Sequence, residues 1–243
     1  MAACRFHVSR SACLGFVVAF IAGILLVQPV WAGEKASTCY GTPANGTLKN
    51  GKALPVKGKN FEPYSRLGVT LGRHYVHSTV RDIVMETYQK LAKQFPETKF
   101  MYGETGWEEG GEFSPHKTHR NGTSVDFMVP VLDKKSKSVA LPTSAFNKFG
   151  YGIEFDKKGK YEELTIDFEA LAAHIYFLDE TAHQNKVGIK RVIFDPRLQP
   201  LLFKTKYGRK LKGKLKFNTK QAWVRHDEHI HVDFVIPCEK KKS

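Results

Sequence analysis

Two alternating stretches stand apart in the hydrophobic pattern of this chain. Val125, Phe127 and Val129 alternate with Ser124, Asp126 and Met128, and Ile230, Val232 and Phe234 alternate with His229, His231 and Asp233. Side chains along a β-strand point to opposite faces in turn, so each stretch predicts a strand with one face for the core and one for chemistry. Asp126 lies on the second face of the first strand; His229 and His231 lie on that of the second. Elsewhere the period is helical. Val80, Ile83, Val84, Tyr88, Leu91 and Phe95 predict a helix capped by Ser78 or Thr79 and ended by Pro96. Leu171, Ile175, Leu178 and Ala182 predict another, capped near Asp167 and left at Gly188.

Shorter elements fill the intervals. Thr98 to Tyr102 and Arg191 to Phe194 read as strands, the latter stopped by Pro196. Gly103 to Glu112, four glycines among four glutamates, reads as a loop. Lys210 to Phe217 alternates basic and apolar residues around Gly213, which predicts a surface ribbon, and Trp223 to Ile236 reads as the last strand region. Residues 33–66, rich in Gly, Pro, Asn and Lys, read as an extended N-terminal arm. Few strands, interleaved irregularly with helices, predict an α+β fold: a single domain with a small, mainly antiparallel sheet flanked by helices. A chain of 243 residues is long enough for one substantial core.

The first 32 residues stand outside that fold. Arg5 and Arg10 precede an almost wholly apolar run from Ala12 to Val27, and Pro29-Val30-Trp31-Ala32 follows. That order predicts a secretory signal peptide at 1–32. An uncleaved anchor is the weaker alternative, because a membrane span needs ~20 apolar residues. Removing the leader takes Cys4 and Cys13 with it and leaves Cys39 and Cys238. Two cysteines at opposite ends of an exported chain point to a disulfide joining the termini, with two free thiols as the alternative.

Charge narrows the surroundings. The chain carries 38 Lys and Arg against 24 Asp and Glu, formally +14, and losing Arg5 and Arg10 with the leader leaves +12. A basic exported protein suits an anionic setting such as cell-wall polymer, lipid headgroups or nucleic acid. Eight Lys or Arg and no acid fall between Lys204 and Lys220. That stretch reads equally as a solvated face and as a surface that concentrates a polyanion. Residues 239–243 form a basic tail.

The candidate chemistry is a metal site. His119 and Asp126 are seven apart, with Asn121-Gly122 between them to reverse the chain. A catalytic zinc takes three protein ligands and keeps one position for water. His119, Asp126 and His231 supply the three, and His229 stands beside the remaining position. A lone histidine is more often structural, but four compatible residues on two alternating strands reverse that expectation. No His-Glu-x-x-His helix, Cys-x-x-Cys pair, Gly-x-Ser-x-Gly elbow or phosphate-binding Gly-x-x-x-x-Gly-Lys-Ser/Thr loop is present.

Two longer runs carry a resemblance. Ser114 to Asp126 contains His116-x-x-His119-x-x-Gly122-x-x-x-Asp126. Trp223 to His231 contains His226-x-x-His229-x-His231, followed by Pro237-Cys238. From about Leu67 to Cys238 the chain resembles the penicillin-insensitive murein endopeptidases, in a wider group named for lysostaphin, D-Ala-D-Ala metallopeptidases and the hedgehog fold. The resemblance implies a zinc metallopeptidase domain at 67–238 with a hedgehog or D-Ala-D-Ala-peptidase-like fold. It implies His119, Asp126 and His231 as zinc ligands and His229 as the catalytic histidine. His226 and His116 would support the site, with a second ion on His116 left open, and a Cys39–Cys238 disulfide fits the family. The implied substrate is the D-alanyl-diaminopimelate cross-link of peptidoglycan in the periplasm. The implied partners are stem peptides and anionic cell-wall polymer, with neither nucleic acid nor a stable membrane anchor. Two departures are visible: the loop Trp107 to Glu112 is more acidic than the family pattern, and the segment 133–165 is lysine-rich and hard to match to it. Competing readings are a D-Ala-D-Ala carboxypeptidase of the same fold, a non-catalytic zinc fold that binds cell wall or another polyanion, and a secreted metal-dependent nuclease. For the nuclease, carboxylate-rich magnesium chemistry would suit better than this histidine set.

Overall fold

The computed structural model describes residues 33–241, and its first element is an antiparallel hairpin of β1 (Thr38–Thr42) and β2 (Asn45–Lys49). The leader read at 1–32 and the end of the basic tail lie outside the described residues. Strands β3 (Lys52–Ala53) and β4 (Phe61–Pro63), helix α1 (Arg66–Thr70) and strand β5 (Tyr75–Val76) lead into helix α2 (Ser78–Gln94). After β6 (Phe100–Tyr102) and β7 (Ser124–Met128) comes an excursion of four short strands. These are β8 (Val131–Leu132), β9 (Ser138–Val139), β10 (Lys160–Tyr161) and β11 (Leu164–Ile166), which pair among themselves. Helix α3 (Phe168–Gln184), strand β12 (Gly188–Ile193), helices α4 (Gln199–Lys204) and α5 (Lys206–Leu211) and strand β13 (His229–Val235) follow. Lys35 onward is one compact unit, and the architecture is α+β.

The main sheet has five strands in the order β12-β13-β7-β6-β4, antiparallel throughout except where β4 runs parallel to β6. Register decides what it can do. β13 lies beside β7 with His231 opposite Asp126 and His229 opposite Met128. Val125, Phe127, Ile230, Val232 and Phe234 turn the other way and are at most 3% exposed. They join α2 and α3 in the core, where each fully buried side chain of this size contributes ~1.5–3 kcal/mol. The predicted apolar faces of both helices are the buried ones, including Ile83, Tyr88 and Leu91 on α2 and Leu171, Ile175 and Leu178 on α3. Asp167 caps α3 by accepting from the Ala170 amide at 3.0 Å. The cap of α2 is His77, one residue before the expected serine; its Nδ1 accepts from the Thr79 amide at 3.2 Å.

Three expectations change. Residues 33–66 are not simply an extended arm: they hold the hairpin and the edge strand β4, and they bury Leu48, Leu54, Phe61 and Tyr64. Strands of two to five residues leave no readable period, and β4 finds its partner β6 far along the chain. The ribbon expected at 210–217 begins instead as the end of helix α5, capped by Thr205 and burying Tyr207 and Leu211 four residues apart. Its basic-apolar alternation was a fragment of a helical period. The last strand starts only at His229, because His226 has left-handed backbone (φ 66°). Cys39 and Cys238 are joined by a disulfide across 199 residues. Among the described residues no helix is long and apolar enough to cross a membrane.

Candidate metal centre

Histidine 119 enters the site from a turn. Its own φ is 69°, a left-handed conformation uncommon outside glycine and one that clusters at functional positions. Gly122 follows at φ 74°, where a Cβ would meet the His77 amide nitrogen at 2.7 Å, so the predicted Asn-Gly reversal tolerates only glycine. The chain then enters β7 and delivers Asp126. The Nδ1 of His119 lies 3.1 Å from the Thr105 carbonyl and so carries the hydrogen. Its Nε2 is buried, has no hydrogen-bond partner, and sits 3.3 Å from Oδ1 of Asp126. A buried imidazole nitrogen with its lone pair aimed past a carboxylate is arranged for a cation.

His231 approaches the same oxygen from β13. Its Nδ1 is 2.9 Å from Asp126 Oδ1 and its Nε2 is 2.9 Å from Asp233 Oδ1. Asp233 is buried and further held by the Ser124 hydroxyl and the Arg191 Nε, each at 2.6 Å. Burial opposes charge on His231, but the hydrogen bonds to Asp126 and Asp233 prevail and raise its pKa to about 9. Burial also opposes charge on Asp126, yet the surrounding His119, His229 and His231 hold its carboxyl well below the usual range. Positive charge is thus stabilised on the Asp126 side of His231. Mutual distance groups His116 as well: one ligand atom each of His116, His119 and Asp126 lie within 4.8 Å of one another, a group that could hold a metal ion. Nitrogen and carboxylate donors of this kind suit zinc.

His229 and His226 form a second pair on the same side. Their ring centroids are 4.5 Å apart. His229 holds Glu228 Oε1 with Nδ1 at 2.8 Å and brings Nε2 to 3.8 Å from Asp126 Oδ2. His226 Nδ1 lies 2.9 Å from the Val224 carbonyl. Burial lowers His229 to about 4 and His226 to about 3, so both rings are neutral at ordinary pH. Burial pushes the Glu228 carboxyl up to about 8. Asp227 fixes the turn between them by accepting from the Phe155 amide at 2.5 Å and from Arg225 Nη2 at 2.8 Å. His116, His119, Asp126, His226, His229 and His231 therefore lie together in one cluster.

Some neighbours had no signal in the sequence. Tyr151, from the lysine-rich segment 133–165, donates its hydroxyl to Asp126 Oδ2 at 3.1 Å and accepts from the Glu104 amide at 3.0 Å. Its ring packs 4.8 Å from His229 and 5.8 Å from His116. Glu104 is bonded by Arg73 and by the Tyr64 hydroxyl, and Arg73 lies over Phe113 at 4.0 Å. Glu104 thus belongs to a buried wall rather than to an acidic surface. No periodicity or spacing links Tyr64, Arg73, Glu104 and Tyr151; only the folded chain brings them to one place.

The geometry meets known proteins at the level of the family. A search of curated proteins finds no match. The family model described as penicillin-insensitive murein endopeptidase matches residues 39–243, almost the whole described chain and both histidine runs. By that match the chain belongs to the penicillin-insensitive murein endopeptidase family and is a peptidase.

Proposed function

We propose that this protein is a zinc-dependent endopeptidase that hydrolyses D-alanyl-diaminopimelate cross-links of peptidoglycan, acting in the periplasm once its leader is removed. The observation that carries the metal reading is the partnerless, buried Nε2 of His119, 3.3 Å from the Asp126 oxygen that His231 also faces. Zinc would be held by His119 Nε2, Asp126 Oδ1 and His231 Nδ1. His231 is preferred over His116 because its other nitrogen is already oriented by Asp233, the usual arrangement behind a metal-binding imidazole. His116 is one-fifth exposed and leans toward Glu104 at 3.8 Å, which suits a supporting role.

Zinc, when bound, supplies Lewis acidity that polarises the scissile carbonyl and acidifies water. The chain's own groups do the rest. Glu228 Oε1 stands 2.8 Å from His229 Nδ1 and in its ionised form accepts that hydrogen. His229 is left with a lone pair at Nε2, faces the attacking water and takes its proton. The same nitrogen returns the proton to the departing amine. His226 commits its Nδ1 hydrogen to Val224, so its neutral ring, 4.5 Å from that of His229, helps to position His229 rather than donating to the tetrahedral oxygen. Tyr151 keeps Asp126 Oδ2 occupied and leaves Oδ1 for the ion.

The test is digestion of purified cross-linked muropeptide dimers with the mature protein, with and without a chelator. Conversion of dimers to monomers that stops on chelation and resumes with zinc is expected. Trimming of a terminal alanine with dimers left intact would favour the carboxypeptidase instead, and intact dimers with no trimming would favour the non-catalytic fold.

A further inference from the structure

Charge is divided unequally between the two sides of the main sheet. Asp126, His229 and His231 leave it on one side. Phe127, Ile230 and Val232 leave it on the other, where α3 covers them and the His174 ring packs 4.7 Å from Phe127. Helix α5 lies outside that helical layer. Its Tyr207 ring sits 5.2 Å from Tyr176 and 5.5 Å from Phe177 on α3, and its hydroxyl bonds Gln94 on α2 at 2.6 Å. Helices and sheet therefore stand between α5 and the histidine cluster.

This outer side holds the basic stretch as far as Lys214; from Lys216 the chain runs beside the edge strand β12. All eight Lys and Arg from Lys204 to Lys220 are exposed, and no acid interrupts them. Lys214 is paired with the buried Asp179 at 2.6 Å; the other seven make no ion pair among the described residues. The ammonium groups of Lys206 and Lys210 lie 5.4 and 5.6 Å from the ring centre of Tyr207, and both side chains are exposed. The apolar residues of α4 and α5 turn inward: Leu202 and Leu211 are fully buried and Tyr207 is 8% exposed. The exposed large apolar side chains, such as Phe146 and Trp223, belong to other segments. The face is cationic and spread over a helix and the turn after it, with nothing to insert into hydrocarbon.

We infer that this face adsorbs the protein reversibly onto an anionic lipid bilayer, with the histidine cluster directed away from the lipid. Charge complementarity selects an anionic partner. Placement selects the bilayer: cations meant to grip the chain being cut would flank the cluster, whereas those of α5 lie behind it. A planar anionic surface also meets all the dispersed cations at once. Adsorption of this kind is no anchor and is released by salt. The inference stands on the position of the cluster and not on its chemistry.

The test is co-sedimentation of the mature protein with phosphatidylcholine vesicles, with and without phosphatidylglycerol, at low and high salt. Binding to the anionic vesicles alone, lost at high salt, is expected. Combined Lys206→Gln, Arg209→Gln, Lys210→Gln and Lys212→Gln should lower the partition coefficient ~100-fold or more, since each cation near such a surface counts for several-fold. A control with the same net charge, Lys134→Gln, Lys135→Gln, Lys157→Gln and Lys158→Gln, should retain most of the binding. Both proteins should melt like the parent and hydrolyse soluble dimers at its rate. Equal loss in both variants, binding to neutral vesicles, no vesicle binding, or binding through this face to purified sacculi alone would each overturn the inference. Hydrolysis of soluble dimers is independent of all these outcomes, so the two readings fail separately.

Discussion

Tyr151 donates a 3.1 Å hydrogen bond to Oδ2 of Asp126 while its own oxygen accepts from the Glu104 amide. The bond occupies one carboxylate oxygen and directs the other at His119 and His231. The backbone beside it is matched to this arrangement, since a Cβ at Gly103 would come within 2.8 Å of the Tyr151 oxygen. Tyr151→Phe should therefore weaken zinc binding by ~10–100-fold, the usual cost of losing an outer hydrogen bond to a metal ligand. Competition with a chromogenic chelator measures it directly. An unchanged zinc affinity would reduce the tyrosine to packing.

Glu228 and His229 predict a kinetic effect of a different kind. Glu228 Oε1 sits 2.8 Å from His229 Nδ1 and only orients and polarises the ring. Glu228→Ala should lower kcat roughly 100-fold while KM stays near its parent value, because the interaction matters as the proton moves. Glu228→Gln, which keeps an acceptor but not the charge, should recover part of the loss. Initial rates on cross-linked dimers at saturating zinc separate these outcomes; a rise in KM with kcat intact would place Glu228 in substrate binding instead.

The disulfide ties β1 to the chain just after β13. It closes a loop of 199 residues between Cys39 and Cys238. In the chain-entropy account such closure stabilises by ~4–5 kcal/mol. Cys39→Ser combined with Cys238→Ser should lower the urea midpoint accordingly, with the zinc affinity of whatever remains folded little changed. A midpoint equal to that of the parent would mean that the unfolded chain is already held together by other contacts.

What could be read from the residues alone was whatever alternation and spacing encode. Asp126, His229 and His231 were legible because each shares a strand with core residues that fix which way it points. His119 was legible through its distance from Asp126 across an Asn-Gly turn. Asp233 shares the parity of His229 and His231, but parity alone does not separate a partner of His231 from a surface carboxylate; its burial against Ser124 and Arg191 does. Tyr151, Arg73 and Glu104 were illegible because their roles depend on long-range packing between segments that have no period. Residues 33–66 failed for the related reason that very short strands are defined by their partners. The helical start of the basic stretch was missed because Tyr207 and Leu211 mark one face of a single short helix.

His174 sets a pH dependence that does not involve the active site. It is fully buried among Tyr88, Phe100 and Phe127, and neither ring nitrogen has a hydrogen-bond partner. Burial lowers its pKa from 6.5 to about 3. The unfolded chain therefore takes up a proton below about pH 6.5 that the folded chain refuses until about pH 3. By linkage, stability is unaffected by this group above the unfolded pKa and falls as the pH drops through the window between the two values, by ~1.4 kcal/mol per pH unit at the steepest. His174→Leu removes the group and its share of the slope. Other carboxylates and histidines titrate in the same range, so the difference between parent and variant is the quantity to measure. Urea midpoints at about pH 6.5 and about pH 5 should show the parent losing ~2 kcal/mol more than the variant. Parallel losses would mean that His174 finds a proton-accepting partner in the folded chain, and that the aromatic cage around it is wetter than its burial implies.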